Sequence, residues 1–206
     1  MPARFDHIAI AAEDLETGAA AVEAALGVPL QQGGEHALMG THNRLLSLGP
    51  GEYLEVITIN PRAPAPDRPR WFDLDRFQGR PRPNTWIAAC DDLTGALAAA
   101  PRRSGQPIDF ERNGLRWRMA VPDDGQLPFD SAFPALIEWQ GSASAADRLT
   151  DLGCRLEQVI LTHPDPQALQ AALAPVIDDP RITIEPGAAK AIRAVIRTPH
   201  GLRELA

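Results

Sequence analysis

His7 and Glu55 are the residues of this chain best placed by type and spacing to do chemistry together. Both fall in alternating, largely apolar segments that read as strands, residues 5–12 and 53–59. Alternate residues of a strand share a face. On that rule Ile8 and Ile10 point one way, and Phe5, His7, Ala9 and Ala11 point the other. Leu54 and Val56 likewise oppose Tyr53, Glu55, Ile57 and Ile59. His7 and Glu55 then share one concave surface, beside small alanines that leave room for a ligand. An ionised glutamate on an apolar strand face is costly unless it is paired or metal-bound. The pair can bind a metal, or it can be a core histidine satisfied by a hydrogen bond to Glu55. By the same cost, Glu55→Gln is expected to stabilise the metal-free protein by removing a buried anion.

Other candidates follow from position. His7, Thr85 and Gln158 each stand seven residues before an aspartate able to cap a helix: Asp14, Asp92 and Asp165. Glu55, Glu138 and Glu204 follow those three residues by 48, 53 and 46 positions. Glu138 is thus the expected second catalytic carboxylate, the alternative being a side chain in solvent on an edge strand. Arg116 and Arg118 share a strand face opposite Trp117 and Met119. Inside a cup, Arg118 would bind a substrate carboxylate. His36 and His42 flank the Met39-Gly40-Thr41 turn as ordinary loop residues or as substrate contacts, and His42 is the expected contact of the two. His163 and His200 read as surface residues. There is no Walker loop, GxGxxG, HExxH or GxSxG, so a nucleotide cofactor is not expected.

The elements that must position these residues repeat along the chain. An aspartate at an N-cap accepts backbone N–H bonds, so Asp14 starts a helix over residues 15–26, which Gly27 ends. Residues 31–36, 42–48 and 53–59 read as strands, the last two joined by Gly49-Pro50-Gly51. The unit is βαβββ. It recurs as strand 84–89, helix 93–100 and strands 115–121 and 135–139. A third copy has strand 156–161, helix 166–176 and strands at 182–184, 191–197 and 202–205. The expected organisation is module one over 1–60, a crossover over 61–83, module two over 84–141 and a third unit over 142–206, packed as one domain. The Pro- and Arg-rich crossover is expected to be exposed, with a short helix at 71–77.

FDHIAIAAEDL, HALMGTHNRLLSLG and YLEVI resemble the opening module of glyoxalase-like proteins, and LRWRMAV with PALIEWQG resembles their second module. The resemblance is to the vicinal-oxygen-chelate superfamily, which includes bleomycin-resistance proteins and dioxygenases. It implies an α+β fold of curved, mixed but mostly antiparallel sheets with helices outside. It also implies a divalent metal held by a His, Gln or Glu from each first strand and a Glu from each last strand. His7, Glu55 and Glu138 match that pattern, whereas Thr85 departs from it. Such a set with open positions suits Zn, Ni, Mn or Fe(II). The competing set pairs modules one and three, as His7, Glu55, Gln158 and Glu204. The implied function is a lyase, isomerase or dioxygenase acting on a small carbonyl compound or organic acid. The alternative is metal-free binding and sequestration of a small molecule.

Bulk properties bound these readings. The 206 residues carry net charge −7, which disfavours a nucleic-acid partner. The two cysteines, Cys90 and Cys154, form no CxxC and fit a reducing compartment. MPARFDHIAI lacks the apolar stretch of a signal peptide, and no run approaches a membrane span. The expectation is a cytoplasmic monomer or homodimer with a small-molecule substrate.

Overall fold

The three capping aspartates act where their spacing places them. In the computed structural model, which describes residues 2–206, Asp14 accepts from the Thr17 N–H at the start of α1 (Leu15–Leu26). Asp92 accepts from Gly95 before α2 (Leu93–Ala99), and Asp165 from Ala168 before α3 (Pro166–Leu173). Gly27, at φ 74°, ends α1 in the left-handed conformation that lacks a Cβ penalty.

The first two modules share one topology. Module one contributes β1 (Arg4–Ala11), β2 (Gln31–His36), β3 (Thr41–Gly49) and β4 (Glu52–Ile59). Module two contributes β5 (Arg82–Ala89), β6 (Gln106–Arg112), β7 (Leu115–Val121) and β8 (Ala135–Gln140). They form one eight-stranded sheet in the order β2-β3-β4-β1-β5-β8-β7-β6. The first strand of each module pairs parallel with its last, β1 with β4 and β5 with β8. β1 and β5 join the modules antiparallel. This is the α+β, curved, mixed-sheet architecture expected.

The third unit does not repeat that order. Its strands β9 (Arg155–His163), β10 (Ile182–Pro186), β11 (Ala191–Thr198) and β12 (Gly201–Leu205) form a separate sheet, β10-β9-β11-β12. The strand after α3 pairs parallel with β9 itself, a direct βαβ crossover. In modules one and two the strand after the helix lies at the far edge. The aspartate spacing reports only the strand–helix half, which all three units share. Sheet order depends on where the later strands pair, and there the repeat ends.

Two apolar layers result. Ile8, Ile10, Leu54, Val56 and Trp86 of the large sheet pack against Val159, Leu161, Ala194 and Ile196 of the small one, with the helices filling in. The small sheet therefore covers the outer face. Ala9, Tyr53, Ile57, Phe110, Trp117, Met119 and Ile137 line the inner face.

The crossover departs from expectation. Trp71, Phe72 and Leu74 of its 3-10 turn (Trp71–Arg76) are buried in the inner layer. Phe72 and Asp73 sit at φ 59° and 58°, a left-handed conformation that costs non-glycine residues free energy. Asn84 Nδ2 donates to the Phe72 carbonyl at 2.7 Å, and the Asp73 N–H donates to Gly125 O at 2.9 Å, holding the kink. Prolines kept most of this stretch out of the sheet, but its aromatic residues drew it inward. Among the described residues no helix is long and apolar enough to cross a membrane.

Candidate functional site

A bulge in β1 sets the chemistry of the inner face. Phe5 pairs with Ala88 and His7 with Ile87, leaving Asp6 as the extra residue. Strict alternation fails here. Phe5 turns outward to stack on Trp86, with ring centroids 6.4 Å apart, and Asp6 comes to rest beside His7. His7 Nδ1–H donates to Asp6 Oδ1 at 2.5 Å, and Trp139 Nε1–H donates to Asp6 Oδ2 at 2.8 Å. The imidazole lies flat against Tyr53, with ring centroids at 4.2 Å.

On its other side His7 Nε2 faces Glu55 Oε2 at 3.5 Å. Asn43 Nδ2 donates to Glu55 Oε1 at 2.5 Å, and Asn43 Oδ1 accepts from the Gly34 N–H at 2.7 Å. His36, on the edge strand β2, completes the cluster. Arg112 Nη1 donates to His36 Nε2 at 2.7 Å, which leaves the His36 proton on Nδ1, donated to Thr41 Oγ1 at 3.0 Å. Trp71 and Trp117 stand edge-on to the His36 ring.

The electrostatics follow from that geometry. Burial opposes protonation of His7, but the Asp6 and Glu55 carboxylates outweigh it and raise its pKa. Burial pushes the Glu55 carboxyl up, yet His7, His36 and Asn43 bring it down to about 2. Burial drives His36 down to about 3, with Arg112 adding to the effect. The geometry thus favours the protonated form of His7 between Asp6 and Glu55, and the neutral form of His36 beside them.

Residues 5–177 match the glyoxalase-like domain family. The chain belongs to that family. It is a glyoxalase-like domain protein of the vicinal-oxygen-chelate superfamily. No curated protein sequence matches it significantly. A hypothetical protein from Staphylococcus aureus superposes with a TM-score of 0.65 at 15% identity, covering 96% of this chain and 92% of that one. At that identity the likeness is one of fold alone. Methylmalonyl-CoA epimerase from Streptomyces coelicolor, in complex with 2-nitronate-propionyl-CoA, gives 0.44 at 16% identity over 69% of this chain and 100% of that one. The Mycobacterium tuberculosis epimerase gives 0.46 at 13% over 70% and 91%.

Within this glyoxalase-like protein, several residues proposed from sequence lie outside the cup. Ala135 and Ile137 face inward, so Glu138 faces outward. It accepts from the Leu93 N–H at 2.9 Å, supporting the start of α2, and from Gln140 Nε2 at 2.7 Å. Arg118 is also outside, 3.6 Å from Glu138 and 3.8 Å from Asp109. His42 lies in an outer groove with Glu13, Glu16, Glu35 and Arg44. Gln158 donates to Thr183, and Glu204 accepts from Arg193, both on the small sheet away from the cup. Neither ligand set read from the sequence is assembled.

The metal pattern fails for a reason visible in the register. Ala9 pairs with Glu55 in module one, and its counterpart Ile87 pairs with Ala135 in module two. Ala135 therefore occupies the place equivalent to Glu55. Thr85, equivalent to His7, is buried and offers only a hydroxyl. His7 and Glu55 face a half-site without ligands, and the Arg112 cation stands beside their partner Asn43. Among the described residues no group of three His, Cys, Asp or Glu side chains could hold a metal. The donor set does not fit the superfamily's divalent ion.

Sequence reasoning missed Asp6, Asn43, Arg112 and Trp71, and named His36 only as a residue beside a turn that could contact substrate. Asn43 carried a signal, since Thr41 and Asn43 put polar groups at successive inward positions of β3, ahead of the inward Leu45. Arg112 carried none: β6 passes unnoticed as a strand, and the arginine's reach to β2 depends on how far the sheet curls.

Proposed function

We propose that the inner face binds a small carbonyl compound or organic acid, and that His7 and Glu55 move a proton on it without a metal. The observation carrying this reading is the buried chain Asp6–His7–Glu55. Asp6 fixes the His7 ring and keeps its proton in place, as an orienting carboxylate does for a catalytic imidazole. His7 Nε2 and Glu55 Oε2 lie 3.5 Å apart, too far for a good hydrogen bond. A substrate that parts the two side chains accepts from His7 Nε2–H with its carbonyl oxygen, and a C–H beside that carbonyl faces Glu55. Insertion separates Glu55 from the imidazolium that holds its pKa low. The carboxylate then becomes a stronger base as the substrate arrives. Such proton transfer is common to the lyase and isomerase ends of the family's chemistry. The free, buried cysteines Cys90 and Cys154 accord with a cytoplasmic setting.

The test is deuterium exchange at the carbon next to the carbonyl, followed by proton NMR for a panel of 2-oxo acids, 2-hydroxy acids and aldehydes. Exchange catalysed by the wild type and lost in Glu55→Gln and His7→Gln supports the proposal. Elemental analysis of the same preparation decides metal dependence. A second reading, sequestration without turnover, draws on the lining of Tyr53, Phe110, Trp117 and Trp139, which suits a planar ligand. Binding without exchange for every panel member selects that reading.

A further inference from the structure

We infer that Arg112 selects an anionic substrate by holding its carboxylate at the edge of the cup. The inference rests on the proposed small-molecule site and names the ligand class. Arg112 ends β6, the edge strand of module two, and reaches across to β2, the edge strand of module one. Its Nη1 donates to two neutral acceptors, His36 Nε2 at 2.7 Å and Asn43 Oδ1 at 3.4 Å. Its Cζ lies 5.9 Å from the Trp117 ring centroid.

Among the described residues no carboxylate lies within ion-pair distance of Arg112. Arg118, Arg181 and Arg193, by contrast, each have two acidic partners. A half-buried guanidinium with only neutral partners leaves its charge uncompensated, which is costly unless an anion joins it. The Nη1 group is used, and among the described residues no acceptor meets the side formed by Nε and Nη2. That free edge has the spacing of a carboxylate's two oxygens.

The surroundings are shaped for this arrangement. A bulge in β2 falls between Gln32 and Glu35, where two glycines stand. A Cβ at Gly34 would lie 2.9 Å from Arg112 Cδ, and one at Gly33 would lie 1.9 Å from Asn43 Oδ1. Any other side chain here would displace the arginine or the asparagine. Asn43 then connects the two ends of the site, touching Arg112 with its oxygen and Glu55 with its nitrogen. A carboxylate held at Arg112 is separated from Glu55 by the Asn43 side chain alone along this chain of contacts. Glu55 and Asp6 repel anions from the cup floor, so Arg112 also sets the orientation in which an acid enters.

The experiment measures binding of pyruvate, 2-oxobutyrate and phenylpyruvate, and of their amides, by tryptophan fluorescence and calorimetry. Wild type, Arg112→Gln and Arg112→Lys are compared, with circular dichroism confirming the fold of each. The expected result is a preference for acid over amide of about tenfold or more in the wild type. Arg112→Gln abolishes the preference and Arg112→Lys restores part of it. If Arg112→Gln does not fold, a weakened preference in Arg112→Lys supports the inference, and an undiminished one overturns it. Equal preference in all three proteins, or no binding of any acid to wild type, also overturns it. Failure of the proton-transfer proposal reads differently: the wild type then prefers acids in an Arg112-dependent way but exchanges no deuterium.

Discussion

Replacing Glu55 with glutamine should destabilise this protein, reversing the expectation that a buried anion is better removed. The Glu55 carboxyl is held at about 2 against an ordinary 4.5. At about 1.4 kcal/mol per unit, the fold favours the anion by about 3 kcal/mol at neutral pH. Glutamine keeps the shape and can still accept from Asn43. It loses the attraction to the His7 imidazolium and turns a carboxamide N–H₂ toward a donor. Because the folded carboxyl titrates below its unfolded value, its contribution is complete above about pH 4.5 and fades as the pH falls toward 2. The variant has no titrating group there, so its deficit should be largest at neutral pH and shrink on acidification. Urea unfolding of both proteins at pH 7 and pH 3 measures this. A variant as stable as wild type at pH 7, or a deficit independent of pH, refutes the reasoning that His7 and Asn43 compensate the buried charge.

Three further outcomes follow from the same contacts. Glu138→Ala should cost about 1 kcal/mol through the lost bond to the Leu93 N–H, while leaving any deuterium exchange unchanged; loss of exchange would return Glu138 to the active site. Burial holds His36 at about 3, below its ordinary 6.5, so the unfolded chain takes up the proton first; stability should fall as the pH drops below 6.5, and His36→Gln should flatten that part of the urea-derived profile. Trp71→Ala should cost about 3–5 kcal/mol by emptying part of the inner layer, and acrylamide should then quench the remaining tryptophans more readily; unchanged quenching would mean that Trp71 does not shield them.

Much of the fold was legible because its signals are local. Aspartate caps, a glycine C-cap and the Gly49–Gly51 turn act through neighbouring backbone groups, and each stands where its spacing requires. The equivalence of modules one and two was legible too, since strand, helix and strands recur in one order. The third unit shows the limit of such reasoning. Its cap and helix match the others, yet β10 pairs beside β9 and not at the far edge. Which strands pair is decided by burial against the large sheet, where Val159, Leu161, Ala194 and Ile196 find partners. No spacing within 142–206 records the surface those residues meet.

The site divides along the same line. His7 and Glu55 were found because each lies in a strand whose alternation fixes its face. Glu138 was assigned by counting residues across loops, which carries no information about face; Ala135 takes the equivalent place because register sets it. Asp6 was hidden because one extra residue in β1 reverses the alternation that placed Phe5 inward. Arg112 and His36 belong to opposite ends of the sheet order and meet only because the eight strands curl until β2 and β6 approach. A site built between two sheet edges depends on accumulated twist, a property of all the strands together. The pair proposed to move the proton could therefore be read from two strands, while the group inferred to choose the substrate became visible only when the sheet was closed.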